Sequence, residues 1–235
     1  MVLGKNCTRG CRFCAVSKIA KGPLPDPEEP HKLAITAKAW GLKYVVITSV
    51  CRDDLEDQGA EHFARCVAET RKENPSALIE VLIPDFSGDK SLIKQVVDAK
   101  PDVLGHNIET VERISPRIRD RRASYANSLS VLRAAKDLGQ KYTKSSIMLG
   151  LGETDEEVLR TFEDLRSVNT DFISMGQYLR PSLHHEPVAE YIRPEKFEYF
   201  RKMAMGSGFK YAVAGPLVRS SYKAGEYLTR SITSK

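Results

Sequence analysis

The sequence predicts an α/β fold in which repeated β–α units build an open, curved parallel sheet. Three observations carry this. Short continuous apolar runs alternate with amphipathic segments almost from end to end. The runs recur roughly every 25–35 residues, the length of a strand, a crossover helix and two turns. No linker rich in Pro, Gly or Ser divides the 235 residues, so 1–235 reads as a single domain. About six such units are too few for a closed eight-fold barrel and enough for an open one.

Taken in order, Val2–Gly4 is an opening strand, and the proline-rich stretch Gly22–Pro30 is a loop wrapping towards the first helix. Leu33, Ala37 and Trp40 mark that helix by their helical spacing, and Gly41 stands where a helix stop belongs. Further strands are expected at Tyr44–Ser49, Leu78–Ile83, Val103–Ile108, Ser145–Leu149, Phe172–Tyr178 and Lys210–Ala214. Most are apolar without alternation, as for parallel strands covered on both faces. Ala60, Phe63, Ala64 and Val67 form one buried helical stripe, and Val158, Phe162 and Leu165 another. The second starts with a capping box, Thr154 and Glu157. Gly139 closes another helical run, and Phe197, Phe200, Met203 and Ala204 define the last long helix.

At 41% hydrophobic and 29% charged residues the chain has material for one sizeable core. No run approaches the ~18 apolar residues of a membrane span, and Met1–Lys5 leads straight into a cysteine motif, so no targeting peptide is expected. The net charge is +5, weak grounds for a nucleic-acid partner. The densest basic run, Arg113, Arg117, Arg119, Arg121 and Arg122, has no interleaved aromatics and reads as a solvated or anion-contacting rim.

Five cysteines are present, three of them within eight residues: Cys7, Cys11 and Cys14, spaced C-x3-C-x2-C. Three thiolates on one loop suit three corners of an iron–sulfur cube and leave the fourth iron open. Structural zinc needs four ligands, usually in two pairs. Here no second pair exists, His31 lies beyond the proline loop, and His184-His185 is an adjacent pair in a surface loop. A zinc site completed by a distant residue, or a chance cluster of thiols, remains the competing reading of the residues alone. Cys66 falls on the stripe Ala60–Val67 and reads as an inert core thiol.

With Phe13 before the third cysteine, the loop resembles the C-x3-C-x-aromatic-C motif of radical S-adenosylmethionine (SAM) enzymes, which implies a partial (β/α)6 barrel of the radical SAM type. Further segments resemble lipoyl synthase, in family order: CTRGCRFC at Cys7–Cys14, TSVCRDDL at Thr48–Leu55, GAEHFA at Gly59–Ala64, and PDF with GD within Pro84–Asp89. HNIETV at His106–Val111, SIMLGLGET at Ser146–Thr154, GQYLRP at Gly176–Pro181 and GPLVRSSYKAGE at Gly215–Glu226 follow.

The resemblance implies a radical SAM sulfurtransferase that inserts sulfur at C6 and C8 of a protein-bound octanoyl-lysine. Cys7, Cys11 and Cys14 would hold a 4Fe–4S cluster whose open iron binds SAM. SAM is cleaved to methionine and a 5′-deoxyadenosyl radical, and a second, auxiliary 4Fe–4S cluster donates the sulfur. Phe13, Gly150 and Gly152 would pack near the adenine, Asn107 and Glu109 would reach the ribose, and Arg119 the SAM carboxylate. On the residues alone, Gly150 and Gly152 equally fit a helix-start turn, Asn107 and Glu109 a turn cap, and Arg119 a solvated position. Ser221, favoured over Ser220, would complete the auxiliary cluster through its hydroxyl. Implied partners are an octanoylated lipoyl carrier domain or H protein, a ferredoxin or flavodoxin as electron donor, and an iron–sulfur carrier, with no nucleic acid and no membrane. The wording of the motifs points to the mitochondrial matrix, or to the cytoplasm if the source is bacterial.

Two departures stand out. The C-x4-C-x5-C run that the family uses for the auxiliary cluster is absent from these residues, so Met1 reads as an internal methionine of a longer protein. Cys51 stands where the family has aspartate, and reads as a neutral substitution or an adventitious redox target. Two other functions compete: a different radical SAM reaction, including SAM cleavage without sulfur insertion, and a non-catalytic paralogue that binds a carrier protein.

Overall fold

The structure, a computed structural model, describes residues 1–221 and 225. A two-residue parallel pair, β1 (Asn6–Cys7) and β2 (Ser17–Lys18), brackets the cysteine loop. Then come α1 (Glu29–Ala39), β3 (Tyr44–Thr48), α2 (Ala60–Glu73), β4 (Leu78–Leu82), α3 (Lys90–Asp98) and β5 (Val103–Gly105). The short α4 (Ser115–Ile118) and α5 (Tyr125–Asp137) follow, then β6 (Tyr142–Leu149), α6 (Asp155–Ser167), β7 (Phe172–Gln177), α7 (Pro194–Gly206) and β8 (Tyr211–Gly215). Strands β3 to β8 form one all-parallel sheet in sequence order. Among the described residues β3 and β8 do not pair, so the barrel stays open, as expected from six units.

Three of the helices start at a side chain that satisfies one of their first N–H groups. Thr154 and Glu157 form the reciprocal capping box of α6. Asp89 accepts from Ser91 N at α3, and Ser124 from Asn127 N at α5. Two apolar clusters lie between sheet and helices. The first joins Ile47, Ile79 and Val81 to Phe63, Val67 and Ile93, and the second joins Ile147 and Met175 to Phe162, Phe200 and Phe209. Phe162 meets Phe200 and Phe209 edge-on at 6.4 and 6.2 Å.

The amino ends of the strands pack on one another through Tyr44, Leu78, Val103, Tyr142, Phe172 and Tyr211. Above this floor Lys144 Nζ meets Glu80 Oε1 at 2.8 Å, both side chains 3% exposed, and Tyr44 Oη donates to Glu80 Oε2. The barrel interior is therefore polar in its middle, although most of the strand runs are apolar.

Other expectations need correction. Val2–Gly4 is no strand: Val2 makes one isolated bridge to Ser49, and the chain turns away at Leu3 with φ +66°. Trp40 is the C-cap of α1, one residue past the helix, and is 74% exposed rather than packed. Met203 is 38% exposed. In the arginine run Arg113, Arg117, Arg121 and Arg122 are exposed, and Arg113 pairs with Glu157, Arg117 with Glu186 and Arg122 with Asp120; Arg119 alone departs from the expected rim, being buried.

Phe162→Ala removes the ring on which two others pack. It should lower unfolding stability by about 3–5 kcal/mol, read as a fall in the denaturant midpoint with little change in far-UV circular dichroism.

Candidate functional site

The cysteine loop lies at the carboxyl ends of the strands, where an open parallel sheet places its functional groups. Its anchor is Arg9, 5% exposed inside the loop. The guanidinium forks onto Asp85 at 2.6 and 2.7 Å, and onto Asp53 with Nη2 at 2.7 Å and Nε at 3.1 Å. Asp53 belongs to the loop after β3 and Asp85 to the loop after β4. A buried cation between two carboxylates is stable only when its donors are matched. Burial pushes both aspartates up, but Arg9 outweighs it and holds them below the usual carboxylate range.

The remaining contacts reach round the barrel. Gly10 N donates to Asp120 Oδ2 at 2.9 Å and Arg12 N to Ile118 O at 2.7 Å. Arg122 spans Asp120 and the Thr8 carbonyl. From beyond β7, Glu186 N donates to Arg12 O, and His185 Nε2 lies 3.1 Å from Cys14 O. His185, expected in a free surface loop, is thus fixed to the motif.

Each of the three thiols receives a backbone N–H. Arg9 N reaches Cys7 Sγ at 3.4 Å, Asp120 N reaches Cys11 Sγ at 3.3 Å, and Val16 N bonds Cys14. Such bonds stabilise ligating thiolates and tune an iron–sulfur centre. Cys7 is drawn down to about 6, chiefly by a hydrogen bond from Cys51. Burial pushes Cys11 up to about 11 and raises Cys14 as well. Among the described residues no three His, Cys, Asp or Glu side chains converge on one ion. A cube does not require it, since its three cysteines bind three separate irons. The donor set therefore fits a 4Fe–4S cluster, and binding one would displace protons from Cys11 and Cys14.

Beside the loop two cavities of about 250 and 150 Å³ share the walls Phe13, Asn107 and Glu109. Ser146, Met148 and Gly176 line the larger, and Cys11, Cys51 and Arg119 the smaller. Arg119 is 9% exposed and held by a polar relay. Its Nη1 donates to Ser128 Oγ at 2.9 Å, and Ser128 Oγ lies 2.9 Å from His106 Nε2, while His106 Nδ1 faces Ile83 O at 3.0 Å. Burial and the Arg119 charge draw His106 down to about 4, so it is neutral, donating from Nδ1 and accepting at Nε2. Arg119 Nε has no partner among the described residues. A buried cationic donor left unmatched at a cavity wall is a place for a ligand carboxylate.

Glu109 sits at φ +69°, a conformation non-glycine residues rarely adopt. Its backbone is held there by β6, with Glu109 N donating to Ser146 O and Met148 N to Glu109 O. Burial raises its carboxyl, opposed by Arg119 and by a bond from Asn107.

The structure thus brings Cys7, Cys11, Cys14, Phe13, Asn107, Glu109 and Arg119 to one region. Gly150 and Gly152 lie just beyond, in the β6–α6 loop, and line neither cavity. At Gly150, φ is +99° and a Cβ would meet Gln177 Nε2 at 2.3 Å and Glu190 O at 2.4 Å. Ser220 lines the larger cavity, whereas Ser221 is exposed in a turn. Cys66 is buried in α2 and pushed up to about 12. Arg9, Asp53, Asp85, Asp120, His106, Ser128 and Glu186 were missed in the sequence. Their one visible signal was a charge inside the cysteine loop together with acidic strand-end motifs.

Comparison with known proteins agrees with this geometry. A family described as the Radical SAM superfamily matches residues 1–165. Among solved structures the fold is similar to methylornithine synthase, with a TM-score of 0.68 at 14% identity over 99% of this chain and 80% of that one. It is also similar to Streptococcus suis SuiB bound to S-adenosylmethionine, with a TM-score of 0.68 at 10% identity over 94% of this chain and 51% of that one. Fold and cysteine loop together define a radical SAM protein.

The chain is 53% identical to the chloroplastic lipoyl synthase of Chlamydomonas reinhardtii, over 99% of this chain and 54% of that protein. It is also 53% identical to the mitochondrial lipoyl synthase of Trichoplax adhaerens, over 100% and 67% respectively. With that of Halobacterium salinarum it shares 52% over 99% and 75%. The chain belongs to the lipoyl synthase family. It spans 54% to 67% of the length of the first two of these relatives, which include chloroplastic and mitochondrial proteins. Among the described residues no helix is long and apolar enough to cross a membrane.

Arg9→Ala strands the buried Asp85 carboxylate and leaves the half-buried Asp53 to Arg122 and Thr8, and should cost about 3–5 kcal/mol. Denaturant titration checks this, and Cys7 and Cys11 should alkylate faster in the variant. His106 yields a pH prediction. Its folded value, about 4, lies below the ordinary 6.5, so the unfolded chain binds more protons between them. Its contribution is complete above about 6.5 and is lost as pH falls through about 4. His106→Gln should flatten that limb of a stability–pH profile.

Proposed function

We propose that this chain forms the SAM-binding barrel of a lipoyl synthase, acting on an octanoyl-lysine of a lipoyl carrier domain or H protein. One observation carries the proposal: the three thiols of one eight-residue loop are each bonded by a backbone N–H, and one of them, Cys11, lines a cavity together with Arg119, whose Nε is unmatched among the described residues. Cys7, Cys11 and Cys14 would hold the 4Fe–4S cluster, which when bound supplies the electron that cleaves SAM. Arg119 orients a carboxylate, kept in place by Ser128 and the neutral His106. Asn107 and Glu109 present hydrogen-bonding groups to a ribose, and Phe13 an apolar surface to the adenine. Gly150 and Gly152 shape the loop behind that wall through their positive φ angles, and Gly150 lets Gln177 and Glu190 come close. The strand walls exclude water from a site where a primary radical would meet a C–H bond.

For the auxiliary cluster, a serine of the segment after β8 would contribute one oxygen. Ser221 is the residue favoured by its motif, and Ser220 the one at the cavity. Beyond the loop the sequence holds only Cys51 and Cys66. With Cys66 in the core, these residues offer that cluster no set of three thiolates. Electron donor and cluster carrier would be a ferredoxin or flavodoxin and an iron–sulfur carrier, and the motif wording favours the mitochondrial matrix. A second reading, SAM cleavage without sulfur insertion, is favoured for this chain by itself because of that missing thiolate set.

Anaerobic reconstitution should load about four irons per chain and support reductive cleavage of SAM to methionine and 5′-deoxyadenosine. Cys11→Ala should abolish both while leaving the circular dichroism unchanged. Undiminished cleavage in that variant overturns the cluster assignment. Arg119→Gln should weaken SAM binding about ten-fold, the worth of one charge-assisted bond, measured by equilibrium binding. The chain alone should yield no lipoylated carrier by mass spectrometry.

A further inference from the structure

We propose that Cys7 and Cys51 form an oxidation site, an intrachain disulfide that withdraws Cys7 from the cluster ligands and blocks cluster loading. The inference rests on the reading of Cys7 as a ligand. Its basis is local geometry. Thr8, next to Cys7, bonds the Cys51 carbonyl twice, from N and from Oγ1, each at 3.0 Å. Asp53 N returns a bond to Thr8 Oγ1 at 3.1 Å, and Arg9 grips the Asp53 side chain. Backbone hydrogen bonds of this kind hold neighbouring segments about 4.8 Å apart, a separation that a disulfide can span. Between them the Cys51 thiol donates a hydrogen bond to Cys7.

Both sulfurs are free thiols and neither is fully buried, and Cys51 lines the smaller cavity. Cys66, by contrast, is 0% exposed in the core. No part of the proposed cofactor site requires a thiol at position 51, and the aspartate of the family pattern could not be oxidised there. A single change therefore places a resolving cysteine against a ligand cysteine.

The oxidant is a small disulfide such as oxidised glutathione. The Cys7 thiolate attacks one of its sulfurs, the S–S bond breaks and one glutathione thiolate leaves. Cys51 Sγ then attacks the Cys7 sulfur of the mixed disulfide, its proton passes to solvent, and the second glutathione leaves. Two protein thiols supply two electrons, and two glutathione thiols are released. A dithiol reverses the reaction. The cube would lose one of its three anchors as long as the bond lasts.

The test uses the full chain, reduced and iron-free, incubated with oxidised glutathione and digested without reductant. A linked pair of peptides containing Cys7 and Cys51 is expected. The oxidised protein should then take up almost no iron, and recover uptake after dithiothreitol. Cys51→Ser and Cys51→Asp, treated alike, should load iron as the untreated protein does. Absence of the linked peptides, pairing of Cys7 with Cys11 or Cys14 instead, or equal loss of uptake in Cys51→Ser overturns the proposal. Reduced wild-type chain that binds no iron overturns the cluster reading instead. The peptide map needs no iron and decides the disulfide separately.

Discussion

The site depends on one buried cation. Arg9 lies within the cysteine loop and holds the loops after β3 and β4 through Asp53 and Asp85. A loop of eight residues spaced C-x3-C-x2-C has little regular structure of its own, and its ordering must come from contacts elsewhere. Four of the five N–H groups of one guanidinium supply them with fixed geometry. Lysine could offer charge but no fork, so the residue type matters as much as its sign. Asp120 completes the frame from the opposite side through Gly10 and Arg122. The three thiols are thereby positioned by carboxylates from three successive β–α units.

Behind this frame the cavity wall is set by a relay of neutral groups. His106 is uncharged because its surroundings are dry and already cationic. A neutral imidazole can accept from Ser128, which in turn takes a bond from Arg119. Were the ring protonated, it would repel the arginine and could not accept. Low dielectric, tautomer and arginine position are thus a single arrangement. The strained backbone of Glu109, pinned by β6, adds a carboxyl to the same wall.

Much of the architecture was legible in the residues because strand and helix periods are local properties. The six main strands fall within a few positions of their apolar runs, and the Thr154–Glu157 capping box appears as spaced. What was not legible depends on partners distant in the chain. Glu80 and Lys144 lie 64 positions apart, and nothing near either announces a buried pair. Arg119 looked like one member of a basic run, but burial depends on which side of α4 the chain leaves. Trp40 shows the reverse error: helical spacing extrapolated one residue past the last turn. In the site, the cysteine spacing spoke for itself, whereas Arg9 and its aspartates were visible only as unexplained letters in motifs.

The packed amino ends of the strands carry a further consequence. Tyr44, Leu78, Val103, Tyr142, Phe172 and Tyr211 close that end of the sheet, with the Glu80–Lys144 pair above them. Among the described residues the two cavities lie at the other end, beside the loops that carry the cysteines and Arg119. Packing and chemistry are thereby divided between the two ends of one sheet.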